Sequence, residues 1–284
     1  MSNPLVWVAH FSFPTDIYRE RVIMDNCFGL EYHLVDSCNL KCAGCSHYSS
    51  LLDKKTYLEV EDIISDLNKL KDKVGDNLKW LRLLGGEPLI HPEITECLRR
   101  IRELFPTIKM TVVTNGLLLD RIGQEFYDIC LNCRVGIVIT DYGIIDVKAA
   151  IDKLKRLGIS ARFYKKTDLW HYQNIRLTEG KIDCFKNCVY RKNNNIYRDG
   201  KIYLCPHIAY IDYFNKYFNK NIGLNETDYI DLDEVDSFGE LMERLRNAKP
   251  NFCYQYCNYY DSEHPKISKW NKTKKDINEF CLLK

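Results

Sequence analysis

Between about residues 30 and 165 the chain alternates short apolar runs with amphipathic stretches of helical period, and this alternation restricts the fold more than any other feature. Leu30–Val35, Trp80–Leu84, Lys109–Thr114, Val135–Thr140 and Ser160–Tyr164 read as strands. Between them, Val60, Ile63, Ile64, Leu67 and Leu70 fall on one helical face. Ile94, Cys97, Leu98, Ile101 and Leu104 form a second stripe, opened by Pro92 and stopped by Pro106. Val147, Ala150, Ile151 and Leu154 form a third, closed by Gly158. Strand and helix at this pitch predict an α/β fold, a parallel sheet with helices outside, either open or curled into a partial (β/α) barrel. In such folds chemistry sits at the C-terminal ends of the strands.

Past residue 167 the pattern changes. Asn195–Cys205 reads as a β-hairpin turning at Asp199-Gly200, a dipeptide that tolerates positive φ. A helix is expected from about Ser237, with Phe238, Leu241, Met242 and Leu245 on one face and Pro250 at its end. The Lys-rich last twenty residues are expected to form a surface helix or tail, and the Lys266, Lys269, Lys272, Lys274 and Lys275 run reads as a solvated face. Four units follow: an extension over 1–28, a core over 29–178, a small α+β domain over 179–262 and a tail over 263–284.

Partners are narrowed by charge and hydropathy. With 41 basic and 39 acidic residues the net charge is +2, giving no general pull toward nucleic acid. No apolar run approaches the roughly eighteen residues of a membrane span, so no membrane is expected. Met1–Phe13 lacks a basic n-region and a small-residue cleavage site, so it does not read as an export signal, and a cytoplasmic location is expected.

The 13 cysteines are numerous for such a chain. In a reducing compartment clustered cysteines point to metal or redox chemistry before disulfides. Cys38, Cys42 and Cys45 stand at C-x3-C-x2-C in a loop directly after the first strand. Three neighbouring thiolates can hold three corners of a cubane iron–sulfur cluster and leave the fourth iron open. A zinc site is the alternative, with His47 near enough in sequence to supply a fourth ligand. The second strand runs into Gly85-Gly86-Glu87-Pro88. Its glycines let the backbone approach a ligand closely, and the Glu87 carboxylate can hold an ammonium group. The third strand ends in Thr114-Asn115-Gly116, which puts polar groups on the same rim.

Together these motifs resemble the radical S-adenosylmethionine (SAM) superfamily over roughly residues 30–165. The resemblance implies that Cys38, Cys42 and Cys45 ligate a [4Fe–4S] cluster and that the SAM amine and carboxylate chelate its open iron. Gly85, Gly86, Glu87 and Pro88 would then grip the methionine end, and Thr114 and Asn115 the adenosine ribose. The residue before the third cysteine is often aromatic in this superfamily, but here it is Gly44, so adenine stacking falls to Tyr48 or His47.

A second set of cysteines resembles the auxiliary-cluster appendages called SPASM and Twitch. Eleven residues separate Cys188 from Gly200, four separate Gly200 from Cys205, and three separate Cys253 from Cys257. Cys184 also fits, fifteen residues before Gly200. The resemblance implies a second [4Fe–4S] cluster on Cys188, Cys205, Cys253 and Cys257, with Cys184 the rival to Cys188; a structural zinc is again the alternative. The shorter, single-cluster Twitch form fits better than SPASM. Cys97, Cys130 and Cys133 read as buried core, and Cys27 and Cys281 carry no pattern.

An oxidoreductase is implied that cleaves SAM reductively to a 5′-deoxyadenosyl radical, which takes a hydrogen atom from substrate. Its electrons come from an external donor of flavodoxin or ferredoxin type. A four-ligand auxiliary cluster would accept an electron from the substrate radical. The short stretch before the first cysteine motif favours a small polar substrate (a sugar, nucleotide sugar or aminocyclitol) over a peptide bound through a leader. A peptide-modifying enzyme and a non-catalytic metal-binding module are the other readings.

Overall fold

The computed structural model describes residues 28–54, 56–165, 170–171, 175–177, 195–258, 266–267 and 270–283. The expected extension over 1–28, apart from Phe28, lies outside the described residues, as do Cys27, Cys184, Cys188 and Lys269.

Five parallel strands carry the core: β1 (Phe28–Val35), β2 (Leu78–Gly85), β3 (Lys109–Thr114), β4 (Val135–Asp141) and β5 (Ala161–Lys165). The connections hold α1 (Val60–Val74), α2 (Ile94–Leu104), α3 (Gln124–Asn132) and α4 (Val147–Arg156). Alternation along β1 explains its role. Leu30, Tyr32 and Leu34 join the buried apolar cluster shared with α1 and α2. Glu31, one residue out of phase, instead pairs with Arg82 of β2 at 2.8 Å. Two-residue strands follow at β6 (Trp170–His171) and β7 (Ile175–Arg176).

The Asp199-Gly200 turn forms as expected, with φ of 51° and 74°, between β8 (Ile196–Arg198) and β9 (Lys201–Tyr203). The hairpin continues the core sheet: β8 lies parallel to β1, and β10 (Tyr229–Asp231) adds outside β9. The eight-stranded order is β10-β9-β8-β1-β2-β3-β4-β5, mostly parallel and not closed, in keeping with a partial barrel. Tyr32 of β1 and Tyr197 of β8 both donate to the Asp66 carboxylate of α1, at 3.1 and 3.0 Å, which pins the hairpin to the core.

Beyond the hairpin come α5 (Pro206–Ala209), α6 (Ile211–Phe218), α7 (Phe238–Asn247) and α8 (Asn251–Tyr256). Ser237 caps α7 through its hydroxyl, which accepts from the Glu240 N–H at 3.2 Å. The helix stops at Asn247, just before Pro250, which also stands at the N-cap of α8, a separate turn bearing Cys253. The apolar faces of α5, α6 and α8 form a second buried cluster with Tyr48, Leu51 and Phe280, while Leu241 of α7 joins the first.

The segment expected to be a surface helix or tail is neither. After β11 (Lys266–Ile267), residues 270–283 contain a 3-10 turn at Ile277–Glu279 and β12 (Cys281–Leu282), which pairs with β7. Phe280 and Cys281 are buried in the second cluster. Lys272 and Lys274 are exposed as read, but Thr273 between them is buried and the segment is extended, with no helical face. Among the described residues no helix is long and apolar enough to cross a membrane.

Candidate active site at the strand ends

The loop that leaves β1 is tied down before it reaches its cysteines. Asp36 N–H donates to Thr56 O at 3.0 Å, and Thr56 N–H donates to the Ser37 hydroxyl at 3.1 Å. From the β2 side, Gly86 N–H donates to Val35 O at 2.7 Å and Glu87 N–H to Ser37 O at 3.1 Å. The two glycines are required here by packing. A Cβ at Gly85 would stand 1.8 Å from Val35 O, and one at Gly86 would stand 2.2 Å from Ser37 O. Their close approach is to the backbone of residues 35–37, and it seats the cysteine loop on the end of β2.

Cys38, Cys42 and Cys45 lie near one another in that loop. Burial pushes all three thiols up, Cys42 to about 12, and charge on the neighbouring sulfurs adds to the rise at Cys38 and Cys42. At Cys45 the backbone N–H groups of His47, Tyr48, Ser49 and Ser50 pull the other way. Leu40 N–H lies 3.3 Å from Cys38 Sγ, and the Trp270 indole N–H donates to Cys42 Sγ at 3.0 Å. Leu40, Leu117, Tyr142, Ile144 and Trp270 form an apolar collar around the trio.

Glu87 is the hub of the rim and is wholly buried. Its Oε1 accepts from Thr114 Oγ1 at 2.7 Å and from Leu89 N at 3.1 Å, and its Oε2 accepts from Asn115 N at 2.8 Å. Burial pushes this carboxyl up to about 7, against the pull of those three donors. Pro88 opens the short 3-10 turn that Glu87 caps. Asn115 reaches back to the cysteine loop, donating through Nδ2 to Asn39 Oδ1 at 2.7 Å. The Gly85–Pro88 stretch, Thr114, Asn115 and the three cysteines therefore share one end of the sheet. Thr114→Val removes one donor from a buried carboxylate. It should destabilise the chain by about 2 kcal/mol in urea unfolding, the cost of a charge-assisted hydrogen bond.

Two aromatic positions depart from expectation. Tyr48 has a left-handed φ of 54° that turns its ring away from the rim. It is fully buried between Phe214 and Phe280, its hydroxyl 2.9 Å from His207 Nδ1. His47 stands edge-on to His33 at 4.8 Å, with Nδ1 3.4 Å from Gly85 O. Burial pushes its pKa down to about 3, so the ring is neutral. Its contacts are with His33 and the Gly85 carbonyl, away from the fourth-ligand role of the zinc alternative. Among the described residues no three His, Cys, Asp or Glu side chains are gathered tightly enough to hold a single metal ion. Tyr142, just past β4, went unnoticed in the sequence, yet the charges that act on its phenol are Cys42, Cys45, Cys38 and Glu87. Its place at a strand exit was the available signal.

The donor chemistry fits an iron–sulfur cluster. Cys38, Cys42 and Cys45 share one small apolar cluster with the collar, and three thiols in one loop suit three corners of a cubane. On the other side of Tyr48, Cys205 and Cys253 are buried with Cys281 in the second apolar cluster, and Cys257 packs against it. Charge on Cys205, Cys281, Cys45 and Cys257 acts together on the Tyr48 phenol, so this ring lies between the two groups. Cys281, which had no pattern in sequence, thus joins the others. Cys97, Cys130 and Cys133 are buried in the main core as expected.

Residues 32–169 match the family model of the Radical SAM superfamily. That stretch, just under half of the chain, carries the likeness to a radical SAM domain. Among curated proteins it is similar to GTP 3′,8-cyclase of Microcystis aeruginosa, 33% identical over 102 residues, which are 35% of this chain and 30% of that protein. GTP 3′,8-cyclase of Trichormus variabilis is 34% identical over 102 residues, with the same shares. The chain therefore spans about 30% of the length of these relatives. Among solved structures, BtrN in complex with AdoMet and 2-DOIA superposes with a TM-score of 0.50 and 15% identity, over 87% of this chain and 100% of that one, a likeness of fold.

Proposed function

We propose that this protein is a radical SAM oxidoreductase that abstracts a hydrogen atom from a small polar substrate, such as a sugar, nucleotide sugar or aminocyclitol. The observation that carries the reading is the shared rim: Cys38, Cys42, Cys45 and Tyr142 in one apolar cluster, with the buried Glu87 hub at the same strand ends. Cys38, Cys42 and Cys45 would hold a [4Fe–4S] cluster, with Gly85, Gly86, Glu87, Thr114 and Asn115 at SAM. Such a cluster would supply the electron for reductive cleavage of SAM and so the oxidising power for hydrogen-atom abstraction from a substrate C–H bond.

The chain's own part is positioning and exclusion. The thiols must lose their protons to bind iron, so their upward shifts mean that loading releases protons. Leu117, Tyr142, Ile144 and Trp270 keep water from the loop, which protects a radical from competing donors. Asn115 and Glu87 hold the ends of β2 and β3 at a fixed separation, so a bound reactant meets a preset geometry. An external flavodoxin- or ferredoxin-type protein would deliver the electron.

A second [4Fe–4S] cluster on Cys205, Cys253 and Cys257 with Cys188, or Cys184 in its stead, would accept the substrate's electron. The gathering of Cys205, Cys253 and Cys257 in one buried cluster supports this part. The division into a core over 29–178 and an auxiliary unit over 179–262 follows from the same reading. Anaerobic incubation with deuterated substrate pools tests it. Deuterium should reach 5′-deoxyadenosine from sugars, nucleotide sugars or aminocyclitols. Transfer from peptide precursors alone would overturn the substrate class, and absence of SAM cleavage would overturn the enzyme reading.

A further inference from the structure

Residues 270–275 cross the cysteine loop as an added strand. Lys272 forms an antiparallel bridge with Cys42. Ala43 N–H donates to Asn271 O at 2.9 Å, and Thr273 N–H donates to Lys41 O at 2.8 Å. The strand is itself tied down: Lys275 pairs with Asp53, and Glu279 accepts from the Thr273 hydroxyl and the Lys274 N–H. This register brings the Trp270 indole onto Cys42, with its N–H 3.0 Å from Sγ and its ring in the apolar collar. An indole nitrogen only donates, so the direction of the bond is fixed.

We infer that Trp270 tunes the reduction potential of the cluster through its hydrogen bond to Cys42, as a positioning residue of this rim. The inference rests on the reading that Cys42 ligates a [4Fe–4S] cluster. Reduction adds one electron, taken from the external low-potential donor, and the added negative charge spreads onto the ligand sulfurs. No proton moves, because the indole keeps its hydrogen. A fixed N–H dipole aimed at one of those sulfurs stabilises the reduced state more than the oxidised one, and hydrogen bonds to cluster sulfurs are a main control of potential. The buried setting strengthens the effect, since little water competes for Sγ. Most donors around Cys38 and Cys45 are backbone N–H groups, which no side-chain change removes. The indole N–H of Trp270 is the close one that a single substitution deletes.

The test uses the full chain, reconstituted anaerobically with iron and sulfide. Trp270→Phe keeps an aromatic ring in the collar and removes the donor. Iron content and the SAM-responsive EPR signal of the reduced cluster should match the unsubstituted chain. The midpoint of that signal, in a dithionite titration with mediators, should move to more negative potential. Equal iron with an unmoved midpoint overturns the inference. A second variant, Trp270→benzothienylalanine, keeps the bicyclic shape without the N–H and should give the same shift. Loss of iron in both variants would assign the bond to loading and overturn the tuning role. An unsubstituted chain that binds no cluster would instead overturn the ligand reading of Cys42.

Discussion

Cys42→Ala and Cys205→Ala should lose the same amount of metal and differ in chemistry. Under the two-cluster reading the reconstituted chain holds about eight irons, and each variant should keep about four. Cys42 belongs to the rim that also holds Glu87, Thr114 and Asn115, so its loss should abolish SAM cleavage. Cys205 lies beyond Tyr48 in the second buried cluster, so its loss should leave SAM cleavage running uncoupled from product. Iron analysis with 5′-deoxyadenosine and product assays reads both variants. Retained cleavage in Cys42→Ala would contradict the first assignment, and unchanged iron in Cys205→Ala would contradict the second.

Gly85→Ala should be the most damaging conservative change in the core. Its Cβ would stand 1.8 Å from Val35 O and 2.8 Å from Val35 C, at a φ of +151° that L side chains rarely adopt. The obstacle is backbone inside a sheet, so no rotamer change relieves it. A loss on the order of 4 kcal/mol is expected, the range reserved for overpacking combined with backbone strain. The same change breaks the seating of residues 35–37 on β2, so iron loading should fail as well. Urea unfolding of the metal-free chain separates the two effects. A variant of unaltered stability would refute the packing argument.

The parallel core was legible because its information is local. A strand of β1's composition alternates its faces, and α2 lies between Pro92 and Pro106 as read. The hairpin was equally legible, since Asp199-Gly200 demands positive φ at both residues. The rim was read from residue types at strand exits. Gly85 and Gly86 were read as permitting close approach to a ligand, and they also permit close approach of the backbone of residues 35–37. Local patterns failed where burial depends on distant chain. Trp270, Thr273, Phe280 and Cys281 follow no helical or strand period, and Trp270 meets a partner 228 residues away. Tyr48 misled for a different reason: its neighbours in sequence belong to the rim, while one left-handed φ sends its ring into the other cluster.

The strand that crosses the cysteine loop has a consequence for biosynthesis. A ribosome delivers residues 38–45 long before residues 270–273, so the early loop lacks its hydrogen-bonding partner for most of translation. Contacts so far apart in sequence close last. Until then Cys42 has neither its indole donor nor its covering strand, and its thiol stays open to oxidants and stray metals. The late segment thus closes over the cysteine loop like a latch once the chain is finished.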